Sequence, residues 1–331
     1  MTETSTPTVL PLFNWDLDAP PFHTGELAVQ TRAGVREFAN SSGRRGIRRF
    51  MPDQHRQFFA EQPFVVLGGL DEAGQPWATL RTGEPGFMSS PDAHTLRIAG
   101  HALPGDPLDR AWKPGAWLGA LGIQPAARRR NRLNGVVTAL DDNSMTVQVR
   151  QSFGNCPKYI QSRTPTALAR GNAQDLPPPR ISTTLNEADR ALLERSDTLF
   201  IATRSSGEGE EAAQGVDVSH RGGMPGFVRV DDDRTFTLPD YRGNRYFNTL
   251  GNTAQDPRSG LLLIDFASAD LLHITARAET IWEGPELDAF PGAERLVRFH
   301  VEEVRRRPGV VPFQWSEVQY APQFKPADVA S

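Results

Sequence analysis

Cysteine is almost absent: Cys156 is the only one in 331 residues. A lone thiol excludes an internal disulfide and any thiolate cluster for zinc or iron–sulfur, and it predicts a reducing, cytoplasmic setting. Long apolar runs are missing as well. The stretches near Leu67 and Leu262 fall far short of the roughly 20 residues of a membrane-spanning helix, so no membrane partner is expected. The first residues, MTETSTPTVLPLF, lack the basic start and apolar core of a secretory signal. Also lacking are a Gly-x-Gly-x-x-Gly turn between strand and helix, a Gly-x-x-x-x-Gly-Lys-Ser/Thr loop and a His-Glu-x-x-His pair. A built-in nicotinamide domain, a P-loop and a metal site are therefore not expected. The histidines His55, His94, His101, His220, His273 and His300 show no ligand spacing. The formal charge of -4 argues against a nucleic-acid partner, whose phosphates call for a basic face.

What is present is 38% hydrophobic and 23% charged, the balance of a soluble globular chain long enough for two cores. An N-terminal arm is expected over 1–51, helical from Gly25 to Phe38 and interrupted by Gly34. A helix with Pro52 at its first position carries Phe58 and Phe59 into a first domain, 52–174. Short runs there predict antiparallel strands at Phe64–Leu70, Trp77–Arg81, Thr95–Ala99, Trp117–Ile123, Asn134–Leu140 and Met145–Arg150. Asp71–Gly74 and Asp141–Asn143 supply the turns. A short helix is predicted around Tyr159 and Ile160. A Pro-rich linker, 175–185, with the boundary near Asp175, leads to a second domain, 186–331. Its pattern is a helix over Asn186–Arg195, then strands at Thr198–Thr203, Gly215–Ser219, Phe227–Val230, Thr235–Leu238, Gly260–Phe266, Leu271–Trp282 and Arg295–Val304. Ser205–Ala213 reads as a mobile loop.

The halves are alike. Each runs helix, apolar strand, polar turn and strand, then a Gly/Pro segment ending in Gly-Phe, Gly83–Phe87 in one and Gly223–Phe227 in the other. Leu118–Ile123 later takes the place of Leu261–Phe266, and the shared order points to duplication. The basic run Arg128, Arg129, Arg130 and Arg132 has two readings: a solvated loop, or a contact for an anionic substrate or partner protein.

The richest segment is VDVSHRGGMPGFVRV followed by LPDYRGNRYFNTLGN. It resembles the FMN-binding split-barrel family related to pyridoxamine 5'-phosphate oxidase. The resemblance implies a mainly β (α+β) fold of two tandem split β-barrels with short flanking helices, and FMN as the cofactor. It implies that Ser219 and Arg221 end one strand of the flavin site and that Asn244 and Arg245 form the turn gripping the phosphate. Asn252 and Arg258 fall in a second polar stretch. Asn155 and Lys158 lie in QSFGNCPKYIQ, which is similar to a segment found after the first barrel in such flavoproteins. FHTGELAVQ is similar to the family's leading arm, where His23 and Glu26 face a substrate mouth, cap a helix or face water. Barrels of this family pair and hold flavin at the shared interface, so the resemblance implies that a tandem chain makes this pairing internally, with a homodimer of chains still open. The first half has no GNR-like turn in AGHALPGDPLDRAWKPGAW, and one flavin per chain is expected.

The residue chemistry points the same way. Gly243 lets a backbone come close, the segment after it begins a helix whose free N–H groups face an anion, and Arg245 brings a planar fork. A solvent-facing arginine is the plainer alternative for the GNR turn alone. Cys156 reads as a small apolar residue rather than a nucleophile. Strand alternation points His220 away from the face of Ser219 and Arg221. The expected function is an FMN-dependent oxidoreductase acting on a small molecule, fed by a diffusing electron donor or a separate reductase. The alternative is a flavin, deazaflavin or haem carrier without turnover. Pyridoxamine phosphate oxidase activity itself is not expected, because no tail motif for its substrate is recognised.

Overall fold

The computed structural model describes residues 14–100, 102–168, 176–206 and 212–324. The boundary near Asp175, His101 and most of the loop expected over 205–213 lie outside the described residues. The arm is two helices, α1 (Thr24–Arg32) and α2 (Arg36–Gly46), because Ala33 ends the first and Gly34, at φ +68°, turns the chain. Pro52 stands just before α3 (Asp53–Ala60), which buries Phe58 and Phe59.

Seven strands follow: β1 (Phe64–Leu70), β2 (Pro76–Thr82), β3 (Met88–Ser89), β4 (Thr95–Ala99), β5 (Trp117–Gln124), β6 (Arg129–Asp141) and β7 (Ser144–Gly154). After β8 (Pro165–Ala167), β9 (Arg180–Ser182) and α4 (Glu187–Arg195) come β10 (Thr198–Arg204), β11 (Val216–Gly222), β12 (Arg229–Val230) and β13 (Thr235–Tyr241). The chain continues through α5 (Asn248–Gln255), β14 (Arg258–Ile264), β15 (Leu271–Ile281), β16 (Ala293–Arg307) and β17 (Phe313–Trp315).

The fold is mainly β, and its two large sheets are antiparallel. The first runs β2-β1-β5-β6-β7-β4-β3, the second β11-β10-β14-β15-β16-β13-β12. Strand for strand the two orders are the same. The halves also share a core, in which Phe64, Val66, Leu80 and Leu121 pack with Phe200, Val218 and Leu262. Glycines set the spacing there. A Cβ at Gly260 would lie 2.2 Å from Pro76 O, so only glycine lets these backbones meet.

Local signals that failed have local reasons. The segment after Cys156 is a turn rather than a helix, with Tyr159 at φ +67°. Only Arg229–Val230 of the strand expected from Phe227 joins the ladder. β9 lies in the Pro-rich stretch and pairs with β16, a contact its own sequence does not advertise. Most consequentially, β6 starts at Arg129, so most of the basic run lies on a strand. No helix among the described residues is long and apolar enough to cross a membrane, and no group of three metal-ligating side chains occurs among them.

Candidate functional site

A cleft opens between the halves. The second half supplies Ser219, His220 and Arg221 from β11, the turn Gly243–Arg245, the first residues of α5, and Glu294 and Arg295 of β16. The first half supplies Arg130 and Arg132 from β6, with Asn155, Cys156 and Tyr159. Strand alternation explains the arginines: residues two apart on β6 share a face, and from it Arg130 and Arg132 reach His220 and Ser219 of β11.

Arg132 is the buried hub. Its Nη2 donates to Ser219 Oγ at 2.8 Å, its Nη1 to Asn248 Oδ1 at 2.8 Å, and Nη1 lies 3.1 Å from Asp217 Oδ1. Arg130 differs. Its Nη1 donates to His220 Nδ1 at 2.8 Å, and it has no carboxylate partner among the described residues. Because a guanidinium only donates, His220 must accept at Nδ1 and carry its proton on Nε2. Burial, followed by Arg130 and Arg221, holds the His220 pKa well below its usual value, so the ring is neutral. Burial and the neighbouring guanidiniums of Arg132 and Arg221 push Arg130 itself down to about 9. His220 packs its ring on Phe200, the residue opposite it in the β10–β11 ladder, as alternation from Ser219 and Arg221 expects, and it still borders the cleft where Arg130 reaches across from the other half to meet it.

The remaining charges pair incompletely. Arg295 Nε donates to Asp240 at 2.9 Å and its Nη2 to Glu294 at 2.6 Å; Arg245 Nη2 donates to Glu294 at 3.1 Å; Arg221 is 3.8 Å from Asp240. Five guanidiniums thus share three carboxylates, Asp217, Asp240 and Glu294, which leaves two positive charges over. Four nitrogens at the cleft, Arg130 Nε, Arg132 Nε, Asn155 Nδ2 and His220 Nε2, are buried without a hydrogen-bond partner. Unmet buried donors and excess charge are costly unless an acceptor arrives.

The turn is built by Asn244, whose Oδ1 accepts the Tyr246 N–H at 3.1 Å while Nδ2 donates to Asn155 Oδ1 at 3.4 Å. Arg245 and Phe247 take left-handed backbone, at φ +64° and +63°. Gly243 does not, and a Cβ there would meet no protein atom. After Phe247, α5 starts with no side-chain cap, and Asn248, Thr249 and Leu250 line the cleft. Its first N–H groups have no partner within the helix.

The arm holds α5 in place. His23 accepts the Gly25 N–H at Nδ1, so its Nε2–H donates to Asn252 Oδ1 at 2.7 Å. Glu26 completes the cap of α1 at the His23 N–H, 2.9 Å away, and accepts from Asn248 Nδ2. Burial raises its pKa to about 8. Of the readings for His23 and Glu26, which are both buried, capping is the one observed, and the cap braces the helix that faces the cleft. Asn252 belongs to this brace rather than the wall, with Nδ2 donating to Thr203 at 2.9 Å. Arg258 pairs with Asp256 at 2.7 Å and, like Lys158, is not among the lining residues. Sequence reasoning gave Arg130 and Arg132 only as part of a basic run, either a solvated loop or a contact for an anionic substrate or partner, and missed Arg295.

Fold and cleft together define a mainly β protein with a cationic site between two similar sheets. Residues 185–320, which contain β11, the turn and α5, match the family model of pyridoxamine 5'-phosphate oxidase. Among solved structures that match is HupZ from Group A Streptococcus, 14% identical over 39% of this chain and 98% of that one, with a TM-score of 0.30. Another is a putative pyridoxamine 5'-phosphate oxidase from Lactobacillus delbrueckii, 18% identical over 37% and 94%, TM-score 0.29. An FMN-binding protein from Syntrophomonas wolfei is 13% identical over 35% and 82%, TM-score 0.26. No curated protein matches the chain.

Proposed function

We propose that the cleft holds the phosphorylated tail of FMN and that the chain is an FMN-dependent oxidoreductase. The observation that carries this reading is the cleft's unmatched charge: two guanidinium charges over, beside four unpartnered buried nitrogens. A phosphate monoester, close to a dianion at neutral pH, answers both deficits. Arg130, Arg221, Arg245 and the His220 Nε2–H would hold it, with Ser219, Asn244, Asn155 and the first N–H groups of α5 around them. Because His220 is neutral, it contributes a donor rather than a charge. The flavin supplies hydride and electron transfer; the protein anchors its tail, orients its ring and limits water.

Tandem split barrels, 52–174 and 186–331, fit the matching strand orders, and a wall drawn from both halves fits one flavin per chain without need of a second copy. The lone Cys156 supports a cytoplasmic setting. The substrate is a small molecule, or electrons reach the flavin from a separate reductase. Lys158, Asn252 and Arg258 leave the proposed ligand set.

The test is to saturate the purified protein with FMN, remove the excess and measure flavin per chain, then add NAD(P)H without oxygen. We expect one flavin per chain and bleaching of its visible bands. No retained flavin defeats the reading. Flavin bleached by dithionite alone favours the carrier.

A further inference from the structure

The matching strand orders give the cleft residues counterparts elsewhere. Ile201 faces Ser219 as Leu67 faces Thr79, and Leu199 faces Arg221 as Val65 faces Arg81. On the neighbouring strands, Leu262 faces His273 as Leu121 faces Arg132, and Leu272 faces Arg306 as Asn131 faces Gly154, which makes Arg307 the counterpart of Asn155. Thr79, Arg81, His273 and Arg307 therefore stand where the open cleft has Ser219, Arg221, Arg132 and Asn155. All four are more than nine-tenths buried, and two are guanidiniums.

An acid from the chain itself lies among them. Asp106 sits between β4 and β5, in the segment that replaces the GNR turn. Thr79 Oγ1 donates to its Oδ2 and the Leu108 N–H to its Oδ1 at 2.8 Å; burial raises its pKa, and Arg307, these two hydrogen bonds and Arg81 oppose the rise. Arg307 Nε also donates to Pro104 O at 2.8 Å and its Nη1 to His273 Nε2 at 3.1 Å. His273 Nδ1–H in turn donates to Ala78 O at 3.0 Å. None of these side chains carries a buried nitrogen or oxygen without a partner, in contrast to the open cleft.

We propose that Asp106 is an internal anion occupying the twin of the open cleft, and that removing its carboxylate creates a second site for a small external carboxylate. The one-ligand stoichiometry rests on the reading of the open cleft; the internal anion does not.

The experiment is thermal unfolding of Asp106→Ala in sodium formate against sodium chloride at equal ionic strength, with the unaltered chain as control. Asp106→Ser, the milder change, runs alongside in case the alanine variant fails to fold. We expect the variants to melt lower in chloride and to regain several degrees in formate with saturation, a shift the unaltered chain does not show. No formate-specific recovery in either variant, or two FMN per unaltered chain, overturns the proposal. An unaltered chain that binds no FMN, beside formate rescue of the variants, defeats the flavin reading and supports the internal anion.

Discussion

The open cleft and its twin occupy the same strand positions, yet their arginines meet different partners. In the cleft, Arg130 meets neutral His220, Cys156 and two like charges, with no carboxylate partner among the described residues; at the twin position Leu271 replaces Arg130, and the guanidinium has moved to Arg307, near Asp106. The connecting segments differ to match. After β13 the chain makes the Asn244 turn and presents the uncapped start of α5, whereas after β4 it folds a carboxylate inward. A scaffold that buries cations at a sheet junction thus has two solutions. One satisfies them from within and is closed; the other leaves donors unmet and is suited to a ligand.

The sharpest way to break this contrast is at the hubs. Arg132→Ala strips the ion-pair partner from buried Asp217 and should cost about 3–5 kcal/mol in urea unfolding. His273→Ala, at the twin position, removes a neutral ring and should cost less, on the order of 1–3 kcal/mol. Equal losses would mean that the two pockets are held together in the same way.

Arg130→Ala separates binding from folding. With no carboxylate left behind and a like-charge contact relieved, the cost should be that of an orphaned His220 Nδ1, about 1–3 kcal/mol and below that of Arg132→Ala. FMN affinity should fall roughly tenfold to a hundredfold, the range of about 1.5–3 kcal/mol for a hydrogen bond to a charged group. A stability loss as large as that of Arg132→Ala, with affinity intact, would make Arg130 structural.

The helix brace sharpens the comparison through pH. Folding raises the Glu26 pKa from 4.5 to about 8, so between those values the folded chain keeps a proton that the unfolded chain releases. Its contribution is complete below about 4.5 and lost as pH rises to about 8, at no more than about 1.4 kcal/mol per pH unit. Glu26→Gln should flatten this slope in denaturant titrations from pH 5 to 8. Asp106 is also raised by burial, so its twin pocket adds a slope of the same sign that Glu26→Gln leaves in place.

Much of the fold was legible because its signals are local. Asp71 Oδ1 accepts the Ala73 and Gln75 N–H groups at 3.0 and 2.9 Å, and Asp141 Oδ1 that of Asn143 at 2.9 Å, so the turns between alternating strands announce themselves. The site was half legible. Ser219, Arg221, Asn244 and Arg245 sit in a recognisable motif, but Arg130 and Arg132 find their partners His220 and Ser219 at sequence separations of 90 and 87. Nothing near them says whether such charges are solvated or satisfied inside. Asp106 was harder still, one acid among 40, with a role defined only by Thr79, Arg81 and Arg307.

The smallest effects are expected at the residues that the motif suggested and the cleft omits. Arg258 ties to Asp256 through a partly exposed guanidinium and, like Lys158, is not among the residues lining the cleft. Arg258→Ala and Lys158→Ala should leave FMN affinity within about twofold of the unaltered chain, measured by fluorescence titration. Asn252→Ala should act differently, lowering stability by cutting α5 from His23 and weakening FMN only through the loosened helix. A loss of about tenfold at Arg258 would place the ligand's charge at the far end of α5, where no line of unmet donors leads, and the open cleft would lose its claim to the anion.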